Sequence, residues 1–210
     1  MTRLPPPAIQ AEQAAALCRV GRLFGERQWC LATAGNFSLR ADAQHCLVTQ
    51  SGKDKSALGP GDLMLCDLDG TAIDARLRPS AETALHTALY RQDRGIGAVL
   101  HTHSVTSTVL SRALASDLTV SGFEMQKAIR GMHSHDESLT IALFENTQDM
   151  DELAAVVVGR LISGTLSAPG FLVRGHGLYA WGADLGEAQR HVEGFEFLLA
   201  CAWQERQALP

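Results

Sequence analysis

Residues 97–104 read Gly-Ala-Val-Leu-His-Thr-His-Ser, a short apolar run that ends in two histidines one residue apart. The apolar half predicts a buried strand. Alternate residues of a strand share one face, with Cα atoms about 6.7 Å apart, so His101 and His103 would point the same way. Two histidines at an exposed strand end are the alternative. The buried strand, and Ser104 as a possible cap of the next helix, favour a pair of metal ligands.

A third metal ligand is needed, and His176 is the best candidate. It lies between two glycines in Arg174-Gly175-His176-Gly177, a segment that follows one predicted strand and precedes another. Flanking glycines allow close backbone approach, although a turn with an incidental histidine fits the spacing equally well. Three histidine ligands would leave one coordination position open, as in catalytic zinc sites. The other spaced pair, His133 and His135, follows no apolar strand and is predicted to lie in a surface loop.

Composition and charge exclude several classes of protein. The 210 residues are 46% hydrophobic and 20% charged, with a formal net charge of -5, and they predict one domain over residues 1–210. This mild acidity argues against nucleic-acid binding. With no run of 18 apolar residues, we expect no membrane association.

Cysteines and prolines indicate the compartment. Five cysteines with no Cys-x-x-Cys spacing argue against a disulfide framework and against a thiolate zinc site. Pro5, Pro6 and Pro7 stand where a signal peptide would have its apolar stretch. We therefore expect a cytoplasmic protein.

Alternating helix and strand patterns run along the whole chain. Helical patterns cover residues 8–29, 79–91, 123–129, 151–161 and 184–207, and another begins near Val105. The second of these begins at Pro79-Ser80, and Ser80 is its predicted N-cap. Strand patterns cover residues 35–39, 46–49, 62–67, 97–103, 139–144, 171–173 and 179–181. Several strands follow one another through short turns. This order predicts an α/β domain with a mixed or largely antiparallel sheet.

Two carboxylates and two polar loops are further candidates for chemistry. Glu82 near a helix start and Glu124 among apolar neighbours could act as acid or base. Favourable helix-dipole placement and a solvated helix face are the simpler explanations. The loops at 35–38 and 51–55, with Ser80, offer N–H groups, hydroxyls and an ammonium for a phosphate. Each loop alone is better explained as a turn, so a phosphate site requires that they converge.

Five motifs in order carry a resemblance to a known family. They are Gly35-Asn36-Phe37-Ser38, Ser51-Gly52-Lys53-Asp54-Lys55, Ser80-Ala81-Glu82-Thr83, His101-Thr102-His103-Ser104 and Arg174-Gly175-His176-Gly177. Together they resemble the class II aldolase/adducin superfamily over residues from about 10 to 205. The resemblance implies a three-layer α/β/α fold with a central, mainly antiparallel sheet. It also implies a homotetramer with active sites at subunit interfaces.

The same resemblance implies a set of site residues. His101, His103 and His176 would bind one divalent ion per subunit, normally Zn²⁺. Glu82 is the catalytic position in the aldolases, whereas a carboxylate in the segment matching Glu124 takes that role in the dehydratases. Both are present here, and we favour Glu124. The implied phosphate pocket consists of Asn36, Ser51, Gly52, Lys55 and Ser80, and Ala81 stands where the aldolases commonly have a second serine.

The resemblance also implies an activity. Segments 123–129, 144–147 and 173–182 resemble the sugar-phosphate dehydratases of the family, so we expect a small sugar phosphate as substrate, with loss of water. A class II aldolase or a pentulose-phosphate 4-epimerase would use the same metal site and is the alternative. A non-catalytic, adducin-like binding domain is more remote, because such domains would be expected to have lost the ligands that this chain keeps.

Overall fold

The computed structural model describes residues 7–208, with side chains from residue 10 onward. Its strands are β1 (Asn36–Arg40), β2 (His45–Thr49), β3 (Leu63–Asp67), β4 (Ala98–Thr102), β5 (Leu118–Val120), β6 (Leu139–Phe144), β7 (Gly170–Val173) and β8 (Gly177–Gly182). Its α-helices are α1 (Pro7–Glu26), α2 (Thr83–Gln92), α3 (Val105–Ala113), α4 (Met150–Ile162) and α5 (Leu185–Ala208). These elements follow the predicted order, except for β5, which the sequence patterns did not predict.

β4 lies near the middle of one eight-stranded sheet. The strand order is β3-β2-β1-β4-β8-β7-β6-β5. Only the β6–β7 pair is parallel, and every other neighbouring pair is antiparallel. In this register His101 pairs with Asn36 on β1 and with Tyr179 on β8. The mainly antiparallel sheet expected from the family resemblance is confirmed.

Helices cover both faces of the sheet. On one face Leu17 of α1, Leu110 of α3 and Phe195 of α5 belong to a single apolar cluster with the sheet. On the other face Leu85 of α2 and Val157 of α4 belong to a second cluster. The three-layer α/β/α arrangement is therefore confirmed, and it follows from strands whose residues are buried on both faces.

The start of the second helix differs from its prediction. Ser80 is not the N-cap of α2, because the helix begins at Thr83 and residues 80–83 form a turn. In this turn the Thr83 N–H donates to the Ser80 carbonyl at 3.0 Å and the Glu82 N–H donates to Ser80 Oγ at 3.3 Å. The turn displaces the helix start by two residues and leaves Glu82 as the N-cap residue.

Two other predicted helices are shorter than their patterns. The first ends at Glu26 rather than at residue 29, and Gln28 beyond it has a left-handed φ of 59°. The segment 123–129 forms only a short 3₁₀ helix, Glu124–Ala128. There the side chain of Gln126 accepts from the Phe123 N–H and donates to the Glu137 carbonyl, which ties the segment to a loop.

The described chain contains no helix long and apolar enough to cross a membrane. Its five cysteines are free thiols, and four of them are buried.

Candidate metal centre and active site

Three histidine side chains meet at the end of β4. His101 lies on β4, His103 follows the strand directly, and His176 lies in the turn between β7 and β8. The Nε2 atom of His101 is 2.7 Å from that of His103 and 3.2 Å from that of His176. Together with an oxygen of Glu82, these nitrogens form a set in which all ligand atoms lie within 4.8 Å of one another.

Hydrogen bonding and burial leave these nitrogens ready to bind a cation. The Nδ1 atom of His101 lies 2.9 Å from the Leu178 carbonyl, which can only accept, so Nδ1 carries the hydrogen and Nε2 keeps its lone pair. Burial lowers the pKa of His101, and burial with its two histidine neighbours lowers the pKa of His103 to about 3. Neutral imidazoles at such short distances direct lone pairs at one another. The residues present therefore fit a divalent metal ion.

Glycines place His176 against the end of β4. Gly175 has a φ of +65°, in the left-handed region that favours glycine. A Cβ on Gly177 would lie 2.0 Å from the Thr102 carbonyl, so a side chain there would force β8 away from β4. The His176 carbonyl accepts from Thr108 Oγ1 of α3 at 2.9 Å. The two glycines that flank His176 in the sequence thus have distinct structural roles.

Glu82 completes the cluster from the start of α2. One of its carboxylate oxygens lies 3.1 Å from Nε2 of His176 and 3.5 Å from Nε2 of His101. Burial alone would raise the pKa of Glu82, but its close contacts with His101 and His176 lower that pKa below its usual value. An ionised carboxylate at this position can serve as a fourth ligand or as a base.

A cavity of about 950 Å³ opens beside the cluster. Its walls include eight of the residues predicted for the site: Asn36, Ser51, Gly52, Lys55, Ser80, Glu82, His103 and His176. The separate polar loops of the sequence therefore converge on one space, as a phosphate site requires. His101 is fully buried behind His103 and His176.

Two buried donors give the cavity anion-binding character. Thr49 Oγ1 donates to Asn36 Oδ1 at 2.8 Å, and the amide nitrogen Nδ2 of Asn36 has no partner within the part of the chain that the structure describes. The ammonium of Lys55, which is 2% exposed, donates to the carbonyls of Thr33 and Lys53. Two of its three hydrogens are thereby used, which leaves one for a ligand. Burial lowers the pKa of Lys55.

Comparison with known proteins places this arrangement in a family. Residues 15–203 match the family model described as Class II Aldolase and Adducin N-terminal domain. The chain belongs to this family.

Two similar proteins are named as dehydratases, and two solved structures share the fold. A methylthioribulose-1-phosphate dehydratase of Serratia proteamaculans (strain 568) is 50% identical over 196 residues, which are 93% of this chain and 96% of the relative. One of Pectobacterium atrosepticum is 48% identical over 93% of this chain and 95% of the relative. The L-fuculose-1-phosphate aldolase of Thermus thermophilus superposes with a TM-score of 0.75 at 26% identity, covering 94% of this chain and 95% of its own. A sugar-phosphate aldolase of Thermotoga maritima gives a TM-score of 0.70 at 16% identity, covering 95% and 97%, and shows the fold alone.

Glu124 lies apart from the histidine cluster in this class II aldolase fold. Its side chain is 69% exposed and contacts Lys127 at 2.6 Å and His135 at 3.1 Å. Among the described residues that line the cavity, Glu124 is absent. His133 and His135 lie in a loop, as predicted. A single chain therefore brings Glu82, but not Glu124, to the three histidines.

Several residues around the cavity were not predicted to be site residues. One wall is formed by Asn146, Thr147 and Gln148 after β6, and another by the α3 side chains Val105, Thr108 and Val109. Asn146 and Thr147 belong to segment 144–147, which carries part of the family resemblance, whereas the other residues have ordinary sequence patterns that gave no signal. Glu196 is different, because it interrupts the apolar face of α5 at a fully buried stretch. An acidic residue among the apolar positions of a helix is visible in the sequence and indicates a buried carboxylate.

We expect His103→Ala to abolish stoichiometric metal binding, because His103 supplies one of three converging nitrogens. The measurement is metal content by mass spectrometry after dialysis against zinc and then against buffer. His133→Ala is the matched control, since its side chain lies in a surface loop, and it should bind metal like the wild type. Full metal content in the His103 variant would refute the ligand set.

Proposed function

We propose that this chain catalyses the zinc-dependent dehydration of 5-methylthioribulose 1-phosphate to 2,3-diketo-5-methylthiopentyl 1-phosphate, a step of methionine salvage. The observation that carries the proposal is the convergence of three histidines and Glu82 beside a cavity lined with anion donors. The dehydratase names of relatives at about 50% identity over nearly the whole chain support this choice of reaction.

The negative charge of the substrate's phosphate matches the hydrogen-bond donors that line the cavity. Asn36 Nδ2, the remaining Lys55 hydrogen, and the polar groups of Ser51, Gly52 and Ser80 would bind the phosphate. A phosphate held there would leave the neighbouring C2 carbonyl within the same cavity as the histidines. A zinc ion bound by His101, His103 and His176 would draw charge from that carbonyl oxygen and make the adjacent C3 proton more acidic.

The chain must then move one proton and release one hydroxyl. A carboxylate takes the proton from C3, and the C3–H electrons form a double bond to C4 as the C4 hydroxyl leaves. The same carboxyl returns its proton to that hydroxyl, so that water departs. The resulting enol becomes the 2,3-diketone by moving its hydroxyl proton to C4. General acid–base help of this kind contributes about 10²–10⁴-fold in rate.

We assign this carboxylate to Glu124, acting in the cavity of a neighbouring subunit of a homotetramer. Glu124 is exposed on its own chain, where it pairs only with Lys127 and His135 among the described residues, so its carboxylate is accessible to another chain's site. Glu82 stands among the metal-binding nitrogens, where it suits a ligand or an auxiliary base. Under this assignment, catalysis requires that the homotetramer assembles. We place the enzyme in the cytoplasm.

Zinc-loaded protein incubated with 5-methylthioribulose 1-phosphate should form a product lighter by one water, identified as the diketone phosphate by mass spectrometry. An aldolase would instead release dihydroxyacetone phosphate and an aldehyde, and a 4-epimerase would leave the mass unchanged. Either result, or substrate binding without any product, would contradict the dehydratase proposal.

Glu124→Gln should lower kcat by about 10²–10⁴-fold while zinc content stays at the wild-type level, because it removes the proton carrier and no metal ligand. Glu205→Gln, an exposed change near the end of α5, is the control and should keep wild-type turnover. Near-normal turnover of the Glu124 variant would rule out its role and leave Glu82 as the acid/base.

Mixing subunits tests where Glu124 acts. His103→Ala subunits keep Glu124, and Glu124→Gln subunits keep the metal ligands. Mixed oligomers made by co-expression should regain activity that neither variant has alone. If Glu124 served its own chain, the mixed oligomers would stay inactive.

A further inference from the structure

Glu196 of α5 is a buried carboxylate to which the proposed reaction gives no role. Its residue is 4% exposed. One oxygen accepts a hydrogen bond from Thr102 Oγ1 at 2.7 Å, and the other accepts from Ser104 Oγ at 2.6 Å. Burial raises the pKa of Glu196 to about 7, and the two hydroxyls oppose that rise. Burying a carboxylate costs free energy unless hydrogen bonds compensate. The two hydroxyl groups offset this cost for Glu196.

The two hydroxyls stand on either side of a histidine of the cluster. Thr102 is the last residue of β4, His103 follows it, and Ser104 is the N-cap of α3. Side chains alternate between the faces of an extended segment. Residues 102 and 104 therefore point toward α5, and residues 101 and 103 point the other way. Glu196 therefore binds the side chains on one face of this segment, and the histidines lie on the opposite face.

Other hydrogen bonds also fix the segment between β4 and α3, and they show which contacts only Glu196 provides there. The His103 N–H donates to the Trp29 carbonyl at 2.8 Å, which fixes one backbone atom. Ser104 Oγ also accepts from the Ser107 N–H at 3.0 Å, which caps α3. Glu196 is the group that joins the end of β4 to the start of α3 through side chains on both sides of His103.

We infer that Glu196 is a positioning residue that sets the angle between β4 and α3, and thereby the spacing of the metal-binding nitrogens of His101 and His103. The inference rests on the metal site of the proposed function. A role confined to docking α5 on the sheet would affect stability alone. A positioning role also affects the affinity and the coordination geometry of the bound ion.

Glu196→Gln is the decisive variant, because it keeps the shape but leaves one acceptor oxygen for two hydroxyl donors. We expect its zinc dissociation constant, measured by competition with a chromogenic chelator, to rise about 10–100-fold. The visible absorption spectrum of the Co²⁺-loaded protein should change as well. Glu193→Gln is the matched control in the same helix, since Glu193 pairs with Arg27 at 2.9 Å instead. It should show wild-type affinity and spectrum.

Each outcome decides the inference. Wild-type zinc affinity and an unchanged Co²⁺ spectrum in a folded Glu196→Gln protein would overturn it, even if the variant were less stable to heat. If that variant did not fold, Thr102→Val, which removes one of the two donors with little change of volume, takes its place under the same criteria. Absence of zinc binding by the wild-type protein would instead count against the proposed function itself.

Discussion

Imidazole lone pairs that face one another at about 3 Å repel unless a cation lies between them, and this constraint shapes the structure around β4. The Nε2 atom of His101 is brought to that distance from those of His103 and His176 by the central strand β4, by its antiparallel neighbour β8, and by Gly177, which lets the two backbones approach. The sheet supplies rigidity, and the turn between β7 and β8 supplies the third nitrogen.

The surrounding polar groups follow from the same constraint. Histidines at the end of a buried strand bring polar groups into the core, where most such groups need hydrogen-bond partners. On one face of β4 the histidines meet Glu82, and on the other Glu196 accepts from Thr102 and Ser104. Both the proposed metal ligands His103 and His176 and the proposed phosphate donors line the cavity, whereas the proposed proton carrier Glu124 lies outside it. This separation is the physical reason to expect that activity requires assembly.

Much of this arrangement was accessible from the sequence, because it depends on local patterns. The apolar run before His101 and the alternation of short strands and helices predicted an α/β domain with a mixed or largely antiparallel sheet. The family resemblance added the two helical layers and the set of three histidines. The start of α2 was misplaced because Ser80 caps a turn instead of the helix. The distance between Glu124 and the histidines, and the hydrogen bonds of Glu196, are tertiary properties. The sequence does not determine which face of α5 meets β4. The buried carboxylate of Glu196 could therefore be seen in the sequence, but its hydrogen-bond partners could not be predicted.

X-ray absorption spectroscopy at the zinc edge of the zinc-loaded protein measures the ligand set that the whole account depends on. The account predicts three imidazole nitrogens at about 2.0–2.1 Å with oxygen in the remaining coordination sphere. Sulfur scattering near about 2.3 Å, or a shell with fewer than three imidazoles, would contradict it.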